Sequence, residues 1–195
     1  MMIRAPSLHI NYKLGYIKSQ EKFWHLTVFY FSIHYYETIF GVIMMYGERL
    51  RVLREERGLK IYDISHLLGF DKDSYGKYER EYTTIPIGHL NTLCDYFQVS
   101  FDYIFGFSSD KQYSAEKAVD PNLAGQRLKE FRKEFRLTQT ELGKVLGCSY
   151  GTIAGYERGR YLIATPFLYT ICSKYHISAD YLLGKIDQPK YINYS

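Results

Sequence analysis

Displaced by 78 positions, the chain lies on itself. Residues 47–106 align with 125–184 without a gap, and close to a third of the 60 aligned positions are identical. The identities include Gly47/Gly125, Arg49/Arg127, Leu50/Leu128, Arg54/Arg132, Gly69/Gly147, Glu79/Glu157, Asp102/Asp180 and Gly106/Gly184. A chain of 195 residues has room for one ordinary domain or two small ones. The repeat selects the second, a duplicated unit of about 60 residues. The organisation read from it is an N-terminal extension (1–46), a first domain (47–106), a polar linker (107–124) interrupted by Pro121, a second domain (125–184) and a tail (185–195).

Hydrophobic periodicity makes each unit a cluster of short helices. In the second copy Leu128, Phe131 and Phe135 recur at helical spacing, with Lys129, Arg132, Lys133 and Arg136 between them. Thr138 with Glu141 three residues later predicts a capping box opening the next helix, whose apolar stripe is Leu142, Val145 and Leu146. Gly147 is placed to end it in the left-handed conformation of a tight interhelical turn. Ser149 then caps a helix over Tyr150–Arg158 that buries Ile153 and Tyr156. Helices over Pro166–Tyr175 and Ser178–Leu183 close the core. The first copy repeats the plan with Leu50, Leu53, Ile64, Leu67, Leu68, Tyr75, Tyr78, Leu90, Leu93, Phe97 and Ile104 inward. No strand is needed between 47 and 184, so the expected fold is all-α.

The hydrophobic fraction of 46% and charged fraction of 24% are those of a globular chain. The net charge of +4 hides an asymmetry. Residues 47–106 carry eight Lys/Arg and ten Asp/Glu, 8 − 10 = −2, whereas 125–184 carry nine and five, 9 − 5 = +4. A phosphate-binding surface is therefore expected mainly in the second copy. Cys94, Cys148 and Cys172 form no CxxC pair and no zinc-spaced cluster, which suits buried thiols in a reducing cytoplasm and no structural metal. No P-loop or HExxH pattern is present, and neither an enzyme nor a cofactor is expected.

The first 46 residues stand apart. Phe23–Tyr46 is rich in aromatic and aliphatic side chains, but Glu37 divides it into stretches shorter than the roughly 20 residues of a spanning helix. No small-residue cleavage site follows, so a secretory signal fits poorly. Three readings stay open: translation beginning at Met44 or Met45, an extension packed on a partner, or a weak membrane anchor.

A helix, a glycine turn and a second helix inside an all-helical unit make a helix-turn-helix. The stretch Leu137-Thr138-Gln139-Thr140-Glu141-Leu142 through Val145-Leu146-Gly147 resembles the "LTQxELAxxLG" segment of the Xre/Cro, phage-repressor type family. Tyr156-Glu157-Arg158-Gly159 is similar to the family's "W/Y-E-x-G" ending, and Ile177–Gly184 to its "VSxDYLLG" closing helix. In the first copy Glu79, Val99–Ile104 and Gly106 fit as well. The resemblance implies two tandem five-helix, lambda-repressor-like domains and double-stranded DNA as partner. It puts the leading end of the second motif helix in the major groove, which makes Ser149, Tyr150, Gly151, Thr152 and Gly155 candidate groove residues. Thr138 opens the motif, and Gln139 is set against a backbone phosphate. Arg158 and Arg160 are candidate phosphate contacts. Ser149 is expected to serve first as a cap, and Gly151 and Gly155 to permit close backbone approach. The resemblance also implies that Arg54 with Glu79, and Arg132 with Glu157, are structural ion pairs joining the first helix to the end of the recognition helix.

The copies are not equivalent. In the first, Lys60-Ile61 replaces Thr-Gln, and Asp71, Asp73 and Glu81 bring carboxylates toward the face where phosphates would lie. Lys60, Lys72, Ser74 and Lys77 are its candidate contacts. The second copy is expected to bind DNA more strongly, and the first to bind weakly or to have turned toward dimerisation or a protein partner. The function expected is sequence-specific transcriptional control by operator occupancy. The alternative is a protein-interaction module, or an antitoxin or immunity-type factor, built on the same fold.

Overall fold

A computed structural model describes residues 46–70, 73–111, 117–188 and 190–192. The three readings of the N-terminal extension, and the expectations for Asp71, Lys72 and the Asp73 side chain, lie outside the described residues. The described residues belong to one compact unit.

The described chain is helical, and its helices come in two series that keep the 78-residue displacement. The first series comprises α1 (Tyr46–Glu56), α2 (Ile61–Leu67), a 3-10 turn (Asp73–Tyr75) running into α3 (Gly76–Glu79), α4 (Ile87–Phe97) and α5 (Phe101–Ile104). The second comprises α6 (Pro121–Glu134), α7 (Gln139–Leu146), α8 (Tyr150–Glu157), α9 (Thr165–Tyr175) and α10 (Ala179–Leu182). Among the described residues the only extended pairing is an isolated bridge between Ile177 and Tyr191.

Local chemistry explains most boundaries. Pro121 does not interrupt a linker but opens α6, because a proline at the first helical position gives up an N–H that has no intrahelical partner anyway. Asp120 caps that helix by accepting the Asn122 N–H at 2.9 Å. Ser100 and Ser178 cap α5 and α10, each accepting the N–H three residues on at 3.0 Å. Pro86 and Ala164 precede α4 and α9 in extended conformation without a side-chain cap.

Burial follows the helical stripes, with two corrections. Leu67, expected inward, is 38% exposed. Ile64 and Leu68 already set the inward stripe of α2, and Leu67 falls on its flank. Phe135 is 37% exposed, because α6 ends one residue earlier and the ring stacks at the rim, 5.0 Å from Phe131 and 4.7 Å from Tyr175. Cys94 and Cys172 are buried, and burial pushes both thiols well above their usual range, so they pack as small hydrophobes. The buried apolar side chains of both series form one continuous cluster, running from Leu50 and Leu90 to Leu168 and Leu183.

Candidate nucleic-acid interface

The motif helices of the second series are set by caps at every joint. Thr138 Oγ1 accepts the Glu141 N–H at 3.1 Å while Glu141 accepts the Thr138 N–H at 2.7 Å, the reciprocal box expected. The two hydrogen bonds to Thr138 hold the exposed Glu141 carboxyl below its usual pKa. α7 ends at Gly147, whose φ of 67° is the left-handed conformation a side chain would strain. Ser149 accepts the Thr152 N–H at 3.2 Å, which fixes where α8 begins, and its hydroxyl also meets that of Thr152 at 3.0 Å.

This leaves a short, defined surface at the leading end of α8. Tyr150 is 66% exposed, Ser149 and Gly151 are exposed and Thr152 is half-buried. Ile153 and Tyr156 face the core. Gly155 is buried too: a Cβ there would overlap the Tyr161 ring, so this glycine lets a tyrosine lie against the inner side of the helix. Arg158 and Arg160 are exposed at the far end.

α8 carries a single carboxylate, Glu157, and it is turned inward. Its side chain is 3% exposed and pairs with Arg132 Nε at 2.5 Å and Nη2 at 3.0 Å. Arg132 also donates to the Leu137 carbonyl at 2.8 Å, so one guanidinium ties α6, the α6–α7 turn and the end of α8 together. Gln139 completes the group by donating its amide to Glu157 Oε2 at 2.8 Å. Burial raises the Glu157 pKa, but the Arg132 and Gln139 hydrogen bonds outweigh it and the net shift is downward.

The first series repeats this frame with different chemistry. Arg54 Nε meets Glu79 at 2.6 Å and Arg54 Nη1 donates to the Leu59 carbonyl at 2.8 Å. Ile61 stands where Gln139 does, so the third member of the network is missing. Only half of the capping box forms: Asp63 accepts the Lys60 N–H at 2.7 Å, but a lysine ammonium has no lone pair to return. The segment matching α8 is a 3-10 turn followed by four helical residues. Lys60 and Lys77 are exposed and Ser74 is half-buried. Glu81 departs from the expectation. It sits at φ 54°, where Gly159 has 67° in the second series, and turns its carboxylate back to accept the Gly47 N–H at 2.9 Å. It therefore caps α1 rather than facing phosphates.

Comparison with known proteins agrees with this geometry. A helix-turn-helix family model matches residues 128–182, and a model of the Cro/C1-type HTH DNA-binding domain matches residues 49–110. The uncharacterized HTH-type transcriptional regulator YobD of Bacillus subtilis (strain 168) is 37% identical over 87 residues, 45% of this chain and 70% of that protein. The chain belongs to the Cro/C1-type helix-turn-helix family. Two further relatives share part of it. Antitoxin PezA of Streptococcus pneumoniae serotype 4 is 30% identical over 63 residues, 32% of this chain and 40% of that protein. The HTH-type transcriptional regulator ImmR of B. subtilis is 36% identical over 66 residues, 34% of this chain and 52% of that protein. No solved structure was found to match.

Two features of this Cro/C1-type chain were not reached from its sequence. Arg49 and Arg127 were visible as a repeated pair without a role. Arg49 Nη1 donates to the Tyr103 carbonyl at 2.6 Å and the Ser108 carbonyl at 3.2 Å. Arg127 does the same to the Tyr181 and Ile186 carbonyls, at 2.5 Å each. The other is the repeated aspartate of the closing helix, Asp102 and Asp180, whose partners lie in the opposite series.

Proposed function

We propose that this chain, a DNA-binding transcriptional regulator of the Cro/C1 type, acts by occupying an operator, with α8 as its principal reading helix. The carrying observation is the inward turn of Glu157. With that carboxylate spent on Arg132 and Gln139, the leading end of α8 presents hydroxyls, a ring and backbone, and nothing that repels phosphate. In this reading Tyr150 and Thr152 face base edges, where a hydroxyl can donate or accept and a methyl can meet thymine. Ser149 and Gly151 let the backbone come close. Gln139 has two amide hydrogens, one held by Glu157 and the other for a phosphate. Arg158 and Arg160 add phosphate contacts, which supply affinity and register rather than sequence choice. Residues 47–106 and 125–184 act as two tandem helix-turn-helix domains in the cytoplasm. The first, through Lys60, Lys72, Ser74 and Lys77, contributes less to affinity because its reading segment is shorter and its charge balance is −2. A second reading, in which the acidic copy also holds a protein partner, draws support from the partial similarity to an antitoxin.

The test is selection of duplexes from a random pool by the full chain, followed by salt titration of the Thr152→Ala and Arg160→Ala variants. Thr152→Ala should relax preference at one or two positions, by about 1–3 kcal/mol at a base it reads. Arg160→Ala should weaken all duplexes alike and reduce the salt slope by about 1. Failure to enrich any sequence would overturn the proposal.

A further inference from the structure

The two helical series are joined by a reciprocal exchange at the starts of α5 and α10. Asp102 of α5 accepts the Ala179 N–H at 2.7 Å and the Ser178 hydroxyl at 2.5 Å, both at the start of α10. Asp180 of α10 accepts the N–H groups of Phe101 and Asp102 at 3.1 and 2.8 Å, both at the start of α5. Each carboxylate thus satisfies orphan donors on the other series' helix. A residue i that meets j while j's counterpart meets i's is the signature of an isologous, two-fold interface between identical subunits. Here it lies within one chain.

Around that centre the equivalence is broken, and two of the contacts change both partners together. Phe107 and Lys185 occupy equivalent positions 78 residues apart, as do Asn91 and Tyr169, and Asp95 and Ser173. On one side of the centre Phe107 stacks on Tyr169, ring centroids 5.1 Å apart, with Phe105 edge-on to the same ring at 5.5 Å. On the other side Lys185, 4% exposed, gives its ammonium to Asp95 at 3.0 Å. Thr165, whose first-series equivalent is Ile87, donates its hydroxyl to the Ile85 carbonyl. Pairing either half with a copy of itself destroys the Phe107–Tyr169 and Lys185–Asp95 matches. Two first halves, residues 47–107, would set Phe107 against Asn91 and Asp95. Two second halves, residues 125–185, would set Lys185 against Tyr169 and Ser173 in place of Asn91 and Asp95, taking the Asp95 carboxylate away from a nearly buried ammonium.

We infer that the intrachain Asp102–Asp180 junction takes the place of a subunit interface, so that a single copy of this chain presents two unlike recognition segments, Asp73–Glu79 and Tyr150–Glu157, to two unlike half-sites of one non-palindromic operator. The inference rests on the DNA-binding reading above and adds its stoichiometry and the asymmetry of its site. Two-fold placement of two helix-turn-helix units is what sets half-sites about one helical turn apart. A covalently joined pair achieves it without an association equilibrium, so affinity does not depend on protomer concentration. Because one segment offers Ser74 and Lys77 where the other offers Tyr150 and Thr152, the half-sites they select must differ in sequence.

The experiment is native mass spectrometry of the full-length protein, alone and on duplexes enriched from a random pool, with footprinting of each complex. The expected result is a monomer when free, one chain per duplex when bound, and two dissimilar protected half-sites about 10 base pairs apart. Replacing one half-site by a copy of the other should weaken binding by roughly tenfold or more. Lys77→Ala should weaken protection at one half-site and Arg160→Ala at the other. Two chains on a palindromic duplex, or equal affinity for the duplicated half-site, would overturn the inference while leaving the DNA-binding reading standing. No enriched sequence would overturn both.

Discussion

Glu157 ends α8 and Glu81 lies two residues beyond α3; both turn their carboxylates inward, but to different ends. Glu157 is held by a guanidinium and an amide, and its truncation strands a nearly buried Arg132 without a counter-charge. Glu157→Ala should lower unfolding free energy by about 3–5 kcal/mol, measured by urea denaturation of the full chain. An unchanged midpoint would show that the pair is solvated after all. Glu81 occupies a left-handed backbone position that costs a non-glycine residue about 1–2 kcal/mol. Its carboxylate recovers part of that by capping Gly47, although burial raises its pKa. Glu81→Gly should therefore shift stability by no more than about 1 kcal/mol, the cap and the strain being lost together. Glu81→Ala keeps the strain and loses the cap, and should be the more destabilising of the two in the same measurement.

At the scale of elements, the motif depends on where α7 stops and α8 starts. Thr138, Gly147 and Ser149 decide those points through local backbone bonding alone. Gly147→Ala should cost about 1–2 kcal/mol because its φ is left-handed, even though a Cβ there would touch nothing. Gly155→Ala presents the reverse case: its backbone is ordinary helix, but the added Cβ would displace the Tyr161 ring. Tyr161 is 49% exposed and free to swing outward, so the loss should stay under about 1 kcal/mol. Thermal denaturation of the two variants ranks them, and a Gly155→Ala cost above that of Gly147→Ala would contradict the backbone argument. These features were legible in advance because a cap, a glycine turn and a 3.6-residue stripe involve neighbours along the chain. The shortness of α3 was not, since nothing in Asp73–Glu79 marks a 3-10 turn.

At the scale of the whole molecule, the reciprocal junction brings two carboxylates together in the core. Burial first, and the Asp102 charge second, push the Asp180 pKa up to about 7. Burial raises Asp102 as well, against the hydrogen bonds it accepts from Ser178 and Ala179. Lys185, just past α10, pairs with Asp95 of α4 at 3.0 Å. A carboxyl whose folded pKa lies above its unfolded value binds more protons when folded. Its contribution is fully present below about pH 4, the unfolded value, and is lost as pH rises toward 7. Glu157, with its pKa lowered, works with the opposite sign and is lost only as pH falls through its depressed pKa. Unfolding free energy should thus decline between pH 4 and 7, and Asp180→Asn should flatten that decline whatever it does to absolute stability. Denaturant titrations at several pH values provide the slopes. An identical slope in the variant would place the titrating group elsewhere.

Helix type, the order of elements and the capped turn follow from this sequence taken alone, because each rests on residues close in the chain or on a period repeated in both copies; the Arg–Glu pairs, 25 residues apart, were implied by the family resemblance. Tertiary structure alone decided that Gln139 is tied to Glu157, that Glu81 points inward, and that Asp102 and Asp180 cap each other's helices. Those contacts join segments brought together only when the cores merge, and neither a repeat nor a period records which way a side chain turns once both halves are folded.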